Sequence, residues 1–322
     1  MPASPPAGAY AGAPREAAAP VAFGDRLAEH VLLRQSQIVL GLDPDPMALW
    51  PATHSDHGGT VAERAAASVL NHCRALIDAA GPACVAVKPQ LARFEVLGAP
   101  GWAALEAVVS HAHEASLLVI ADAKRGDIDV SALAYSRALM GTLDTPFGPV
   151  AGLGADMLTV NPLMGADAIE PFVSTAREVG AGVLALVRTS NPGAADIEDL
   201  PVEGGGAVWE RLASLVHRLG GDGVGESGLS DVGAVVGATA PHHLARAREL
   251  MPHAVFLLPG VGAQGGRVED LAPAFAPGRA GGLITASRSI ANAHRAHDGD
   301  RDPATEARAE AERLRELAWQ LT

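Results

Sequence analysis

Residues Leu117–Asp127 read LLVIADAKRGD: five apolar positions, then Asp122, Lys124 and Asp127, with Gly126 free to turn the chain. An uninterrupted apolar run marks a strand buried on both faces, as in a parallel sheet. Side chains alternate along a strand, so Asp122 and Lys124 point the same way at its C-terminal end. Charge at that end suits a barrel of parallel strands, whose chemistry sits on the C-terminal face. A plainer reading is an ion pair followed by a helix cap, with Asp127 capping a helix that starts at Ile128.

The pattern recurs along the chain. Comparable runs are Gln37–Asp43, Cys84–Pro89, Asp156–Asn161, Gly182–Ser190, Gly233–Thr239, Ala254–Gly260 and Gly282–Arg288, which with Leu117–Lys124 makes eight. Amphipathic segments such as Thr60–Ala80, Trp102–Ala115, Ile128–Met140 and Ala207–Leu219 lie between them. Eight β-then-α units predict an α/β protein with a (β/α)8 TIM barrel, the alternative being a doubly wound open sheet. Residues 1–20 hold eight Ala and five Pro with almost no charge, and read as a flexible tail or an over-extended start. The expected organisation is that tail, followed by a single barrel catalytic domain over 21–322.

The 322 residues carry 37 acidic and 24 basic side chains, a net charge of −13. No basic run suggests a nucleic-acid partner. An apolar content of 48% argues against disorder, and no stretch is long enough to span a membrane. Two cysteines, Cys73 and Cys84, cannot form a disulfide scaffold, which makes a reducing cytoplasm the expected compartment. Lys88 and Lys124 are the only lysines in the chain. Such a preference for arginine fits a GC-rich coding bias, under which a retained lysine calls for a reason. Lysine can release a proton at a tuned pKa, and arginine effectively cannot.

Other strand ends offer further groups. Pro259–Gly266 contains Gly260, Gly262 and Gly265 in GxGxxG spacing. The spacing falls after the seventh run, which suits a barrel phosphate site better than a dinucleotide fold. Glycine amides can approach phosphate oxygens there, and Arg288 can bind them through its planar fork. Gln264 could reach both the phosphate and a neighbouring group. Thr189–Gly193 offers donors and acceptors for a planar heterocycle, or a simple turn. Asp43, in Asp-Pro-Asp-Pro, could accept from ribose hydroxyls or belong to a turn. The histidines lack metal-ligand spacing, so no metal site is expected.

Together, Asp-x-Lys-x-x-Asp at 122–127, Pro-Gly-Val-Gly-Ala-Gln-Gly at 259–265 and Ser-Arg-Ser at 287–289 resemble the orotidine 5′-phosphate decarboxylase family. The wording Lys-Arg-Gly-Asp-Ile and Thr-Ser-Asn-Pro-Gly is similar to its longer bacterial subfamily, typical of actinobacteria. The resemblance runs from about Phe23 to about Ala293. It implies a homodimeric barrel without cofactor, with active sites shared across the subunit interface. The implied reaction converts orotidine 5′-monophosphate to UMP and CO2, the last step of de novo pyrimidine synthesis. By the same resemblance, Lys124 donates the proton to C6, Asp122 lies by the scissile carboxylate, and Lys88 bridges the charges and the ribose. Asp127 enters the partner's site with Ser131 beside it, a serine where threonine is expected. Asp43 binds ribose, Ser190 the pyrimidine, and Gln264 and Arg288 the phosphate. Segments 142–155 and 220–231 are assigned no role. Related barrels with the same motif resemble Mg²⁺-dependent sugar-phosphate decarboxylases and aldolases, which place a metal-binding carboxylate at the end of strand 2. Lys88 stands there in this chain and would repel the metal. A barrel that binds a phosphate ligand without catalysis would be marked by loss of Lys124 or Asp122, and both are present.

Overall fold

The computed structural model describes residues 20–55, 58–239, 241–262, 265–296 and 301–322. The expected tail therefore lies, except for Pro20, outside the described residues, as does Gln264. Eight parallel strands close into a barrel: β1 (Ile38–Leu42), β2 (Ala86–Pro89), β3 (Leu118–Arg125), β4 (Met157–Val160), β5 (Gly182–Arg188), β6 (Val232–Val236), β7 (Phe256–Leu258) and β8 (Gly282–Ala286). Each pairs with its neighbours in chain order, and β8 closes against β1 through Ile38–Ile284, Val39–Thr285 and Leu40–Ala286. All eight fall on the apolar runs read from the sequence, and the open-sheet alternative is excluded by closure.

Burial follows from the alternation of side chains. Val39, Ala86, Ile120, Met157, Leu184 and Leu257 belong to a buried cluster that fills the barrel interior. The intervening residues, such as Leu40, Val87, Val119 and Leu158, join the larger core shared with the surrounding helices. The helix Phe23–Arg34 contributes Phe23, Leu27 and Val31 to the interior cluster from the side where the strands begin.

The helix Val61–Ala80 starts one residue after the expected point, because Thr60 is its cap rather than its first residue. The Thr60 hydroxyl accepts from the Glu63 amide at 3.3 Å, and the Glu63 carboxylate accepts from the Thr60 amide at 2.7 Å. Reciprocal capping of this kind satisfies two of the amides that a helix start leaves without partners. The helix Ala99–Glu114 starts three residues before Trp102, with Pro100 in its first turn, where a missing N–H costs nothing. The C-terminal helix Pro303–Gln320 buries Ala307, Ala311, Leu314 and Ala318 and packs on the helix Val61–Ala80.

Segment 142–155 contains an antiparallel hairpin, Thr142–Thr145 with Gly148–Ala151, that stands outside the barrel. Its tip residue Phe147 is 99% exposed. Among the described residues, no helix is long and apolar enough to cross a membrane.

Candidate active site

A cavity of about 430 Å³ opens at the C-terminal ends of the strands. Six of the residues singled out from the sequence line it: Asp43, Lys88, Asp122, Lys124, Ser190 and Arg288. They come from β1, β2, β3, β5 and β8 or the loops just beyond, distant in sequence and gathered by barrel closure.

Asp122 is the hub. Its Oδ2 accepts from Lys88 Nζ at 2.6 Å and from Gln90 Nε2 at 3.2 Å. Its Oδ1 accepts from the Lys124 ammonium and from the Thr159 hydroxyl, the latter at 3.1 Å. Four donors on two oxygens use about all the lone-pair positions a carboxylate has. Burial opposes the charge on Asp122, but Lys88 and Lys124 outweigh it and hold the carboxyl down at about 2. Burial likewise opposes the charge on Lys88, while Asp122 and then Asp43 hold its pKa above the ordinary lysine value. At neutral pH the array is therefore an ionised carboxylate with Lys88 charged beside it. The Lys88 side chain is 7% exposed and that of Lys124 is 45% exposed, so only the second lysine faces water.

Asp122 and Lys124 do share a face, but not by simple alternation. Lys124 has φ +48°, and the pairing of β3 with β4 shifts register between Ala121 and Arg125. A left-handed non-glycine residue costs roughly 1–3 kcal/mol and persists where neighbours hold it. Here the Lys124 amide donates to Thr159 Oγ1 on β4 at 2.9 Å.

Asp127 and Ser131 are not part of this cluster. Asp127 Oδ1 accepts from the Ile128 amide at 2.8 Å, while Lys88 and Lys124 pair with Asp122. The capping reading of Asp127 is also corrected. The helix runs Asp129–Leu139 with Ile128 at its cap position and no side-chain cap, and its first residue, Asp129, has φ +49°. Ser131 is exposed on that helix.

The glycine loop after β7 departs from the expectation in part. Gly260, Gly262 and Gly265 all have φ between +74° and +104°, which their lack of a Cβ permits. The amides of Gly262, Gly265 and Gly266 are committed to loop carbonyls, donating to Gly266, Gly262 and Gly260 respectively. They shape the turn and are not free for an anion. The Arg288 guanidinium is exposed and pairs with no described residue. On the β5 side, Arg188 holds Asp199 through two 2.8 Å bonds, and the Thr189 hydroxyl donates to Asn191 Oδ1 at 2.7 Å, which braces the loop carrying Ser190. A Cβ on Gly237, just after β6, would lie 2.8 Å from Ser190 Cα, so glycine lets the chain pass this loop.

Sequence reasoning missed three groups: Gln90, Thr159 and Thr285. The Thr285 hydroxyl is buried in the cavity wall with no hydrogen-bond partner among the described residues. Among the described residues, no three His, Cys, Asp or Glu side chains are grouped so as to hold a metal ion.

The barrel fold agrees with what the chain is similar to. A model of the orotidine 5′-phosphate decarboxylase / HUMPS family matches residues 36–301. The orotidine 5′-phosphate decarboxylase of Rhodopirellula baltica is 39% identical over 273 residues, 85% of this chain and 89% of that protein. The Deinococcus radiodurans enzyme of the same name is 42% identical over 270 residues, 83% of this chain and 88% of that one. The solved structure of Leishmania donovani OMP decarboxylase superposes with a TM-score of 0.66 at 30% identity, covering 92% of this chain and 99% of the other. Fold and sequence thus agree, and the chain belongs to the orotidine 5′-phosphate decarboxylase / HUMPS family.

Proposed function

We propose that this chain decarboxylates orotidine 5′-monophosphate to UMP and CO2, the last step of pyrimidine synthesis, with Lys124 as proton donor. The observation that carries the reading is the Lys88–Asp122–Lys124 array lining the cavity, with Lys88 and Asp122 buried and Lys124 half exposed. In the reaction the C6–carboxylate bond breaks, CO2 leaves, and the electron pair stays on C6. That carbanion is poorly delocalised by the ring, so charge stabilisation must come from the protein. An ammonium about 3 Å away contributes roughly 5 kcal/mol at an effective dielectric near 20. That is on the order of 10⁴ in rate. The same ammonium then gives its proton to C6. Partial exposure of Lys124 lets water return that proton for the next cycle.

Asp122 serves by holding both ammonium groups in place, its two oxygens being occupied by four donors. Lys88 keeps the carboxylate ionised from the buried side. Asp43, exposed at the end of β1, is suited to ribose hydroxyls, and the free Arg288 fork to the phosphate. Ser190 takes the pyrimidine, with Gln264 assigned to the phosphate by resemblance alone. Phosphate held far from C6 can contribute binding energy to closing the site.

The working unit in this reading is a homodimer of one catalytic barrel per chain over 21–322, with Asp127 and Ser131 of each chain serving the partner's site. Two observations support it. Asp127 makes no pair with the lysines of its own chain, and the segments after β3 and β4 carry exposed apolar side chains: Ile128, Val130, Leu163 and Met164. Buried, unpaired Cys73 and Cys84 suit the reducing cytoplasm. Burial pushes both thiols well above the ordinary range.

The test is turnover of orotidine 5′-monophosphate in excess EDTA, followed by loss of the substrate's ultraviolet absorbance. Metal-free turnover is expected. No turnover, with Mg²⁺-dependent activity on a sugar phosphate instead, would overturn the reading and the role given to Lys88.

A further inference from the structure

Among the described residues, Thr159 is the one that hydrogen-bonds both parts of the Asp122–Lys124 unit from another strand. It sits on β4, 1% exposed, in the wall of the cavity. Its Oγ1 accepts the Lys124 amide at 2.9 Å and lies 3.1 Å from Asp122 Oδ1, to which it can donate. One hydroxyl has one proton and two lone pairs, so both bonds can form together. The backbone geometry explains why they matter. The β3–β4 ladder breaks its register between Ala121 and Arg125, and Lys124 turns left-handed there. At that break the Lys124 amide takes a side-chain acceptor, Thr159, in place of a strand carbonyl. The left-handed turn is what returns the Lys124 side chain to Asp122 Oδ1, the oxygen that Thr159 also engages.

We propose that Thr159 is a positioning residue for proton transfer, setting the backbone turn and the carboxylate oxygen that together aim the Lys124 ammonium at C6. The inference rests on the decarboxylase reading above. Thr159 does not touch the reacting atoms; it acts through Lys124 and Asp122. A purely structural reading treats it as a β-branched residue that fills a buried strand position, and the two readings differ in what a hydroxyl deletion does.

Thr159→Val keeps the shape and removes the hydroxyl, while Thr159→Ser keeps the hydroxyl and removes the methyl. With Val, kcat should fall about 10- to 100-fold, the scale of a misplacement near 1 Å, with KM and the dissociation constant for UMP within about threefold. With Ser, kcat should recover to within about threefold of wild type. A second readout needs no turnover. The chain has only two lysines, so ¹⁵N-lysine labelling yields two backbone amide signals, Lys88 and Lys124. Val should speed exchange of the Lys124 amide at least about tenfold and leave Lys88 unchanged, because only the first loses its acceptor. An unchanged Lys124 amide in the Val variant overturns the geometric basis whatever the kinetics. A Val variant with kcat within twofold of wild type overturns the functional claim and leaves the decarboxylase reading standing. So does a loss in which kcat, KM and UMP affinity worsen together and Ser does not rescue. A wild-type chain that fails to turn over the nucleotide removes that reading and this inference with it.

Discussion

Lysine at position 124 has to do two things that arginine separates. In the proposed mechanism it carries a positive charge near the developing carbanion and releases a proton to it. Arginine supplies the charge, but its pKa lies too high for proton release. Lys124→Arg keeps the charge and should lose about 10²–10⁴ in kcat from failed proton transfer alone, and Lys124→Ala should lose more because the charge goes as well. UMP binding should change far less, since Arg288 and Asp43, proposed for its phosphate and ribose, are separate residues of the cavity wall. Single-turnover kinetics beside UMP titration separate the two effects. An Arg variant retaining a tenth of the activity would remove Lys124 as the proton donor. The sequence reading could reach this residue, because a lysine retained among 24 basic side chains is conspicuous. It could not reach Thr159 or Gln90. Thr159 lies in the run MLTV, where a β-branched residue is an ordinary strand former, and its partners are 35 and 37 residues away. Nothing local marks a polar atom whose function is to meet another strand.

At the scale of elements, the loop after β1 is tied to the turn after β8 through the helix Val61–Ala80. His72, on that helix, is buried and accepts the Trp50 amide through Nδ1 at 3.2 Å, and Trp50 Nε1 donates to the Ala291 carbonyl at 2.9 Å. Burial, helped by the nearby His294, pushes His72 down to about 4. An imidazole nitrogen that accepts a hydrogen bond must be neutral, so the geometry and the direction of the shift agree. The unfolded chain then takes up a proton from about pH 6.5 downward while the folded chain does not until about pH 4. Stability should fall as pH drops through that window and level off below it, by about 3 kcal/mol in total from this group. Urea unfolding of wild type and His72→Gln across pH 4–7 checks this: the variant should lose most of the slope, and an unchanged slope would assign it to other groups. The strands were legible in the sequence because a strand covered on both faces can hardly be written except as an apolar run. The 142–151 hairpin was not, since its four-residue strands TLDT and GPVA are mostly exposed and carry no such run. Helix starts were displaced by one to three residues wherever a cap or a proline set the true boundary.

At the scale of the whole molecule, the question is which chain supplies Asp127. The charge array is complete without it, since Asp122 already satisfies both lysines within one protomer. Exposed apolar side chains gather in the sector after β3 and β4, with Ile128, Val130, Leu143, Phe147, Leu163 and Met164 all open to solvent. An apolar face of this kind beside a charged site suits an isologous contact, in which each chain meets the same surface of its copy. The motif could be read in one dimension, but whether Asp127 acts in its own site or across a two-fold axis is a property of the assembly, and the spacing is the same in either case. Mixing variants separates the two. Asp127→Ala and Lys124→Ala should each be nearly inactive alone. If the sites are shared, unfolding the two together and refolding them in equal amounts yields half heterodimers, each with one site that has both residues intact and one that has neither. The mixture should then regain about one quarter of wild-type activity, the statistical value for a two-fold dimer. If Asp127 acts within its own chain, every site in the mixture lacks one residue, no activity returns, and the shared-site reading is lost.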